Sequence, residues 1–70
     1  MRKPVKDYRG WIVGWLDYLP NGNVVAYDYN QYRVGEFVKS MNITKDRYDR
    51  VIAEGDITTS LVLTADSNRR

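Results

Sequence analysis

The stretch from Trp11 to Tyr29 leaves the chain little choice of local structure. Trp11–Tyr18 is aromatic and β-branched, Val24–Tyr29 has the same character, and "LPNGN" stands between them. Asn-Gly between two apolar runs favours a β-hairpin, because both residues tolerate the positive φ of a two-residue turn. Asn21 and Gly22 are expected at those turn positions. Alternation then places Trp11, Val13, Trp15 and Asp17 on one face, with Ile12, Gly14 and Leu16 on the other. Both faces carry apolar groups, so both need cover, from the rest of the chain or from another subunit.

The same local pattern recurs. Ile12-Val13-Gly14, Val24-Val25-Ala26 and Val51-Ile52-Ala53 are β-branched pairs followed by Gly or Ala, and Val34-Gly35 is a degenerate copy. Each is preceded by a turn-like pair: Arg9-Gly10, Asn21-Gly22, Asn30-Gln31 and Tyr48-Asp49. Units this short cannot bury a face alone and must stack on their neighbours.

The segment "ITKDRYDRVIAEGDI" (43–57) admits two readings. As a helix it has Thr44 as N-cap, Asp46 in the first turn, Tyr48, Val51 and Ile52 on one stripe, and Gly55 as a stop. With "VGEFVKSM" before it, this makes a β-hairpin followed by a helix-turn-helix over 35–54. Against it, Arg47 stands where a capping box needs Glu or Gln. The strand reading repeats the β-branched triplet and is preferred. The expected fold is therefore all-β, a small antiparallel meander of about five short strands, with one helical turn between Glu36 and Met41. "TTSLVLTA" (58–65) alternates Leu61 and Leu63 against Val62 and is expected to pair as a further strand.

The run from Val24 to Ile57 resembles the short YD-type repeats of the 4-fold β-flower group of small bacterial proteins. The matching positions are Tyr27-Asp28, Val34-Gly35, Tyr48-Asp49 and Ala53. Arg50 stands where Gly would follow Tyr-Asp, and Ala26 and Ala53 replace Gly. The resemblance implies an antiparallel all-β fold and carries no catalytic residue across.

Seventy residues make one domain with a marginal core. With no Cys and no His, disulfides and thiolate or imidazole metal sites are excluded. Oligomerisation is the stabilising device still open. Between Asp7 and Asp66 six bases face nine acids, a net of −3, and Arg2, Lys3, Lys6, Arg69 and Arg70 lift the total to +2. The expected domain is 7–66, with 1–6 and 67–70 as flexible basic tails that can be removed without loss of stability. There is no leader-like apolar segment and no run of roughly 18 apolar residues, so a cytoplasmic location is expected.

Catalysis has little to work with. Ser40, Thr44, Thr58, Thr59 and Ser60 are the remaining nucleophiles, and none has a base at a recognisable spacing. Asp46, Asp49, Glu54 and Asp56 do not follow the spacing of a calcium loop. No enzyme activity, cofactor or metal is expected. The conspicuous feature is aromatic: Trp11, Trp15, Tyr18, Tyr27, Tyr29, Tyr32 and Phe37 crowd into one stretch. The bland account makes them core and cross-strand partners. The functional account makes Trp11, Trp15, Tyr27, Tyr29 and Tyr32 a binding surface, since Trp and Tyr dominate interface hot spots. The expected function is a small non-catalytic interaction module. Its partner is itself, as a homodimer or higher oligomer with Trp11 or Trp15 at the interface, or a host protein met by a phage or mobile-element product. The alternative is a small nucleic-acid binder, through a helix-turn-helix at 35–54 or through basic tails with aromatic stacking.

Overall fold

Five hairpin turns set the architecture, and all five solve the same steric problem in the same way. In each, a carbonyl accepts a hydrogen bond from the N–H three residues on, and that later residue is left-handed. The pairs are Asp7 and Gly10, Leu19 and Gly22, Asp28 and Gln31, Lys39 and Asn42, and Asp46 and Asp49, at 2.9–3.1 Å. The φ angles of the later residues run from 52° to 91°. Four of them are the three-residue hairpin loop, a type I turn followed by one left-handed residue, and Lys39–Asn42 is a four-residue loop between the paired Val38 and Ile43 that ends on the same left-handed residue. The Asn-Gly turn conforms to it: Pro20 and Asn21 occupy the type I positions, and of the expected pair only Gly22 has positive φ. Asn21 instead accepts the Asn23 N–H on its side chain at 3.0 Å.

Two of these left-handed positions are held by residues that resist the conformation more than Gly or Asn does. Gln31→Gly is expected to raise stability by about 0.5–1 kcal/mol, or about 4 °C in Tm. The exposed hydrogen bond from Arg2 Nη1 to Gln31 Oε1 is lost but is worth less. A thermal melt checks the sign.

The computed structural model describes residues 1–69. Between the turns run β1 (Arg2–Lys6), β2 (Ile12–Tyr18), β3 (Val24–Asp28), β4 (Arg33–Val38), β5 (Ile43–Asp46) and β6 (Val51–Glu54). They form one antiparallel sheet in sequence order. The expected meander is present, with six strands rather than five. A 3-10 turn at Lys39–Met41 joins β4 to β5, and helix α1 (Thr58–Arg69) follows β6. The helix-turn-helix over 35–54 does not form, because that span is β4, β5 and β6.

Three of the hairpins are copies of one unit. Asp7, Asp28 and Asp46 open the turns, and beyond each turn the returning strand carries one extra residue: Val13, Val34 and Ile52. Such a bulge breaks the alternation of faces. Val13 and Val34 therefore join the same core as Leu16, Val5, Val24, Ala26 and Val62. This corrects the grouping of Val13 with Trp15 and Asp17. The residue after each bulge is small: Gly14, Gly35 and Ala53. A Cβ on Gly14 would lie 2.3 Å from Val62 Cγ1 and 2.4 Å from the Tyr27 oxygen. One on Gly35 would lie 2.4 Å from Leu61 Cδ1. The two glycines are the seat of α1, which packs chiefly across β2, β3 and β4.

The expected strand over 58–65 is thus a helix. Its apolar groups Leu61, Val62 and Ala65 sit at helical spacing and face the sheet. The Asp56 carboxylate starts the helix by accepting the Thr58 N–H at 2.9 Å and the Thr58 hydroxyl at 2.5 Å. β-prone side chains yield because the sheet face needs cover, and packing outweighs propensity. Thr44 on β5 ties the entry down. Its buried hydroxyl donates to the Gly55 carbonyl at 2.6 Å and accepts the Ile57 N–H at 3.2 Å. Thr44→Val, nearly isosteric, leaves both backbone groups without that partner. It should cost about 1–3 kcal/mol, read as a lower urea midpoint at unchanged slope.

Of residues 1–6, expected as a flexible tail, Arg2–Lys6 form strand β1, whose Val5 belongs to the core. The basic residues there have a structural use. An edge strand bearing Arg2, Lys3, Pro4 and Lys6 is a poor template for further pairing. At the other edge β6 is four residues long, and Gly55, at φ 76°, turns the chain away toward α1. Residues 67–69, also expected in a tail, belong to α1; Arg70 lies outside the described residues.

Candidate interaction surface

Because β1–β2, β3–β4 and β5–β6 are successive hairpins of a meander, their three turns emerge at the same end of the sheet. Each turn is locked by its leading aspartate. Asp7 Oδ1 accepts the Arg9 and Trp11 N–H groups at 2.9 and 3.1 Å. Asp28 Oδ1 accepts the Tyr32 N–H at 2.9 Å. Asp46 Oδ1 accepts the Tyr48 and Arg50 N–H groups at 2.8 and 3.0 Å. In the outer tips the second carboxylate oxygen takes an arginine: Arg9 Nη2 to Asp7 Oδ2 at 2.8 Å, and Arg50 Nε to Asp46 Oδ2 at 2.9 Å.

Burial pushes the Asp7 carboxyl upward. The hydrogen bonds from the Arg9 side chain and the Trp11 and Arg9 amides, with the Arg9 charge, outweigh it and bring the pKa from 3.8 down to about 2. Asp46 is lowered against the same burial penalty by the Arg50 and Tyr48 amides and the Arg50 side chain. A carboxylate whose folded pKa is depressed contributes stability above its unfolded pKa. That contribution is lost as pH falls through the folded value. The urea midpoint should therefore drop as pH falls from 3.8 toward 2. Asp7→Asn should flatten part of that drop, and an unchanged pH profile would contradict the turn geometry.

On these locked turns stand Tyr8, Trp11, Tyr29, Tyr32 and Tyr48, five of the nine aromatic residues. They are not core. Tyr8 is 94% exposed, Trp11 61%, and Tyr32 and Tyr48 70% each. The core is built of valines, leucines and alanines, with Phe37 as the one aromatic packed against it. The Arg9 guanidinium lies 4.0 Å from the Trp11 ring centre, and that of Arg50 lies 5.1 Å from Tyr48. Arginine, tyrosine and tryptophan thus share one rim.

Of the residues expected to form a binding surface, Trp11, Tyr29 and Tyr32 stand on the tips. Trp15 and Tyr27 are half-buried on the sheet face opposite α1. Trp15 stacks on Tyr29 with ring centres 6.3 Å apart, which connects that face to the rim. The Arg2 guanidinium covers Tyr27 at 4.5 Å. Tyr8 and Tyr48 belong to the rim but escaped sequence reasoning; their signal was their place within one or two residues of Asp7 and Asp46. The three turns themselves (7–11, 28–32 and 46–50) carry Arg9, Arg47 and Arg50 against Asp7, Asp28, Asp46 and Asp49, so 3 − 4 = −1. That is no electrostatic track for phosphates.

The candidate nucleophiles Thr44 and Thr58 spend their hydroxyls on the helix entry. Asp46 and Asp56 spend carboxylate oxygens on amides. Among the described residues no group of three or more acidic, Cys or His side chains could hold a metal ion. No helix among them is long and apolar enough to cross a membrane. No protein-family model, curated protein or solved structure matches the chain.

Proposed function

We propose that the protein is a non-catalytic interaction module that binds another protein through the rim of hairpin tips. The observation that carries this reading is the placement of five exposed aromatics at one end of the sheet, on turns fixed by aspartate hydrogen bonds. Solvent-exposed Trp and Tyr beside Arg are the residues that supply interface hot spots. Rigid turns lower the ordering cost of binding, as in loop-based paratopes. The turns that carry the aromatics have no net positive charge, which favours a protein over a nucleic acid. The accessible surface, 4648 Å², is close to the roughly 4,500 Å² expected of a monomer of this mass. It supports a module that folds alone and meets its partner afterwards; a second copy is one such partner.

The test is affinity capture with the wild-type chain and with a Trp11→Ala/Tyr32→Ala variant, captured proteins being identified by mass spectrometry. Both substituted side chains are exposed, so circular dichroism should show the variant folded. A protein held by the wild type and lost by the variant is the expected result. Capture unaffected by the double substitution would overturn the reading. Light scattering over a hundredfold concentration range separates the self-associating form of the proposal from the others.

A further inference from the structure

Acid, guanidinium and ring form one arrangement in the outer turns, built from different positions. In the first turn Arg9, two residues after the aspartate, donates to Asp7 Oδ2 from Nη2 at 2.8 Å and from Nε at 3.1 Å. Its guanidinium lies 4.0 Å from the ring centre of Trp11, four residues after the aspartate. In the third turn the two positions are exchanged. Arg50, the fourth residue, donates from Nε to Asp46 Oδ2 at 2.9 Å and lies 5.1 Å from the ring of Tyr48, the second. A carboxylate and an aromatic ring side by side thus hold a guanidinium in both outer turns.

The middle turn, Asp28-Tyr29-Asn30-Gln31-Tyr32, has the acid and the ring of the first turn, with Asn30 in the place of Arg9. The backbone sets the two turns alike. The Tyr32 N–H donates to Asp28 Oδ1 at 2.9 Å, as the Trp11 N–H does to Asp7 Oδ1 at 3.1 Å. Gln31 and Gly10, one residue before each ring, are both left-handed, at φ 69° and 83°. Asp28 is half-buried and Tyr32 is 70% exposed. Among the described residues no side chain donates to Asp28 Oδ2, and no cation or second ring lies on Tyr32. The guanidiniums of Arg2 and Arg33 are engaged elsewhere: Arg2 lies over Tyr27 and donates to Gln31, and Arg33 bridges Glu36 and Asp49. The turn has no basic residue of its own, so its charge is that of Asp28.

We propose that the middle turn takes an arginine side chain of the partner protein, with the guanidinium on the Asp28 carboxylate and against the Tyr32 ring, as Arg9 sits on Asp7 and Trp11. This rests on the reading of the rim as a protein-binding surface and names the chemistry of its partner. Lysine fits less well. Its ammonium is a compact, strongly hydrated point charge, whereas the planar guanidinium forks onto a carboxylate and stacks on a ring in one pose. An acidic segment would be repelled by Asp28.

The probe is the tripeptide Gly-Arg-Gly with blocked ends, titrated into the full chain at constant ionic strength and followed by proton–nitrogen NMR. Two control peptides carry lysine or citrulline, the uncharged isostere, in place of the arginine. The expected result is saturable shifts at the Asn30, Gln31 and Tyr32 amides, with a Kd of about 5 mM. The lysine peptide should bind about threefold more weakly, and the citrulline peptide not measurably. Asn30→Arg supplies the chain's own guanidinium at the position Arg9 holds in the first turn, and should weaken the arginine peptide about tenfold. Unmoved core resonances show that the variant is folded. Absence of saturation at about 50 mM peptide, equal binding of the citrulline peptide, or unchanged binding by the Asn30→Arg variant would overturn the proposal. If the peptide fails while Trp11→Ala/Tyr32→Ala still abolishes capture of another protein, the rim keeps its role and only the arginine contact falls.

Discussion

Gly14→Val is expected to leave the chain largely unfolded. The first added atom already falls 2.4 Å from a backbone oxygen, that of Tyr27, and 2.3 Å from Val62. A flexible side-chain end could yield, but the strand carbonyl is held in the sheet, and α1 would have to lift. Overpacking a core costs about 1–3 kcal/mol where neighbours can adjust. Here they cannot, so about 4 kcal/mol is expected. A chain of this size has roughly 3.5–10 kcal/mol in all. The matched control is Ala53→Gly, the same position of the third unit, which should cost only about 0.5–1 kcal/mol. Urea denaturation of both variants checks the contrast, and a cooperative, near-wild-type transition for Gly14→Val would show that the helix is not seated there.

Val62→Asp attacks the same contact from the other side. Val62 is fully buried over Gly14. The substitution removes about 1.5–3 kcal/mol of apolar burial and places a carboxylate in the core. A loss of about 4 kcal/mol or more is expected, with loss of the helical circular dichroism signal. Leu63→Asp, on a 40% exposed neighbour, should be close to neutral. Equal effects at the two positions would mean that α1 does not lie on the sheet by the face described.

The parts of the fold legible in the sequence were those fixed by neighbours along the chain. The β2–β3 hairpin follows from "LPNGN" between apolar runs, and the meander from short β-branched stretches separated by turn residues. The threefold unit was hidden because its turn aspartates stand 21 and then 18 residues apart, with only Gly10 among the three left-handed positions occupied by glycine. Gln31 and Asp49 gave no such sign. The triplet Val24-Val25-Ala26 lies on the incoming strand, whereas the unit repeats at Gly14, Gly35 and Ala53 on the outgoing one. The helix was missed because Leu61, Val62 and Leu63 alternate as readily as they spiral. Only the empty sheet face over Gly14 and Gly35 decides between the two, and that is a long-range fact. For the surface, aromatic crowding took in Trp11, Tyr29 and Tyr32, which stand on the tips, together with Trp15 and Tyr27, which do not. Separating them from Trp15 and Tyr27 required knowing where the turns end.

The most direct test of the rim as the contact surface is photo-crosslinking in cells that make the protein, with benzoyl-phenylalanine placed at Tyr32 in one variant and at Asn21 in another. Both positions are exposed turn residues, but they lie at opposite ends of the sheet. A discrete covalent adduct from position 32 and none from position 21 is the predicted result. An adduct from position 21 with none from position 32 would contradict it.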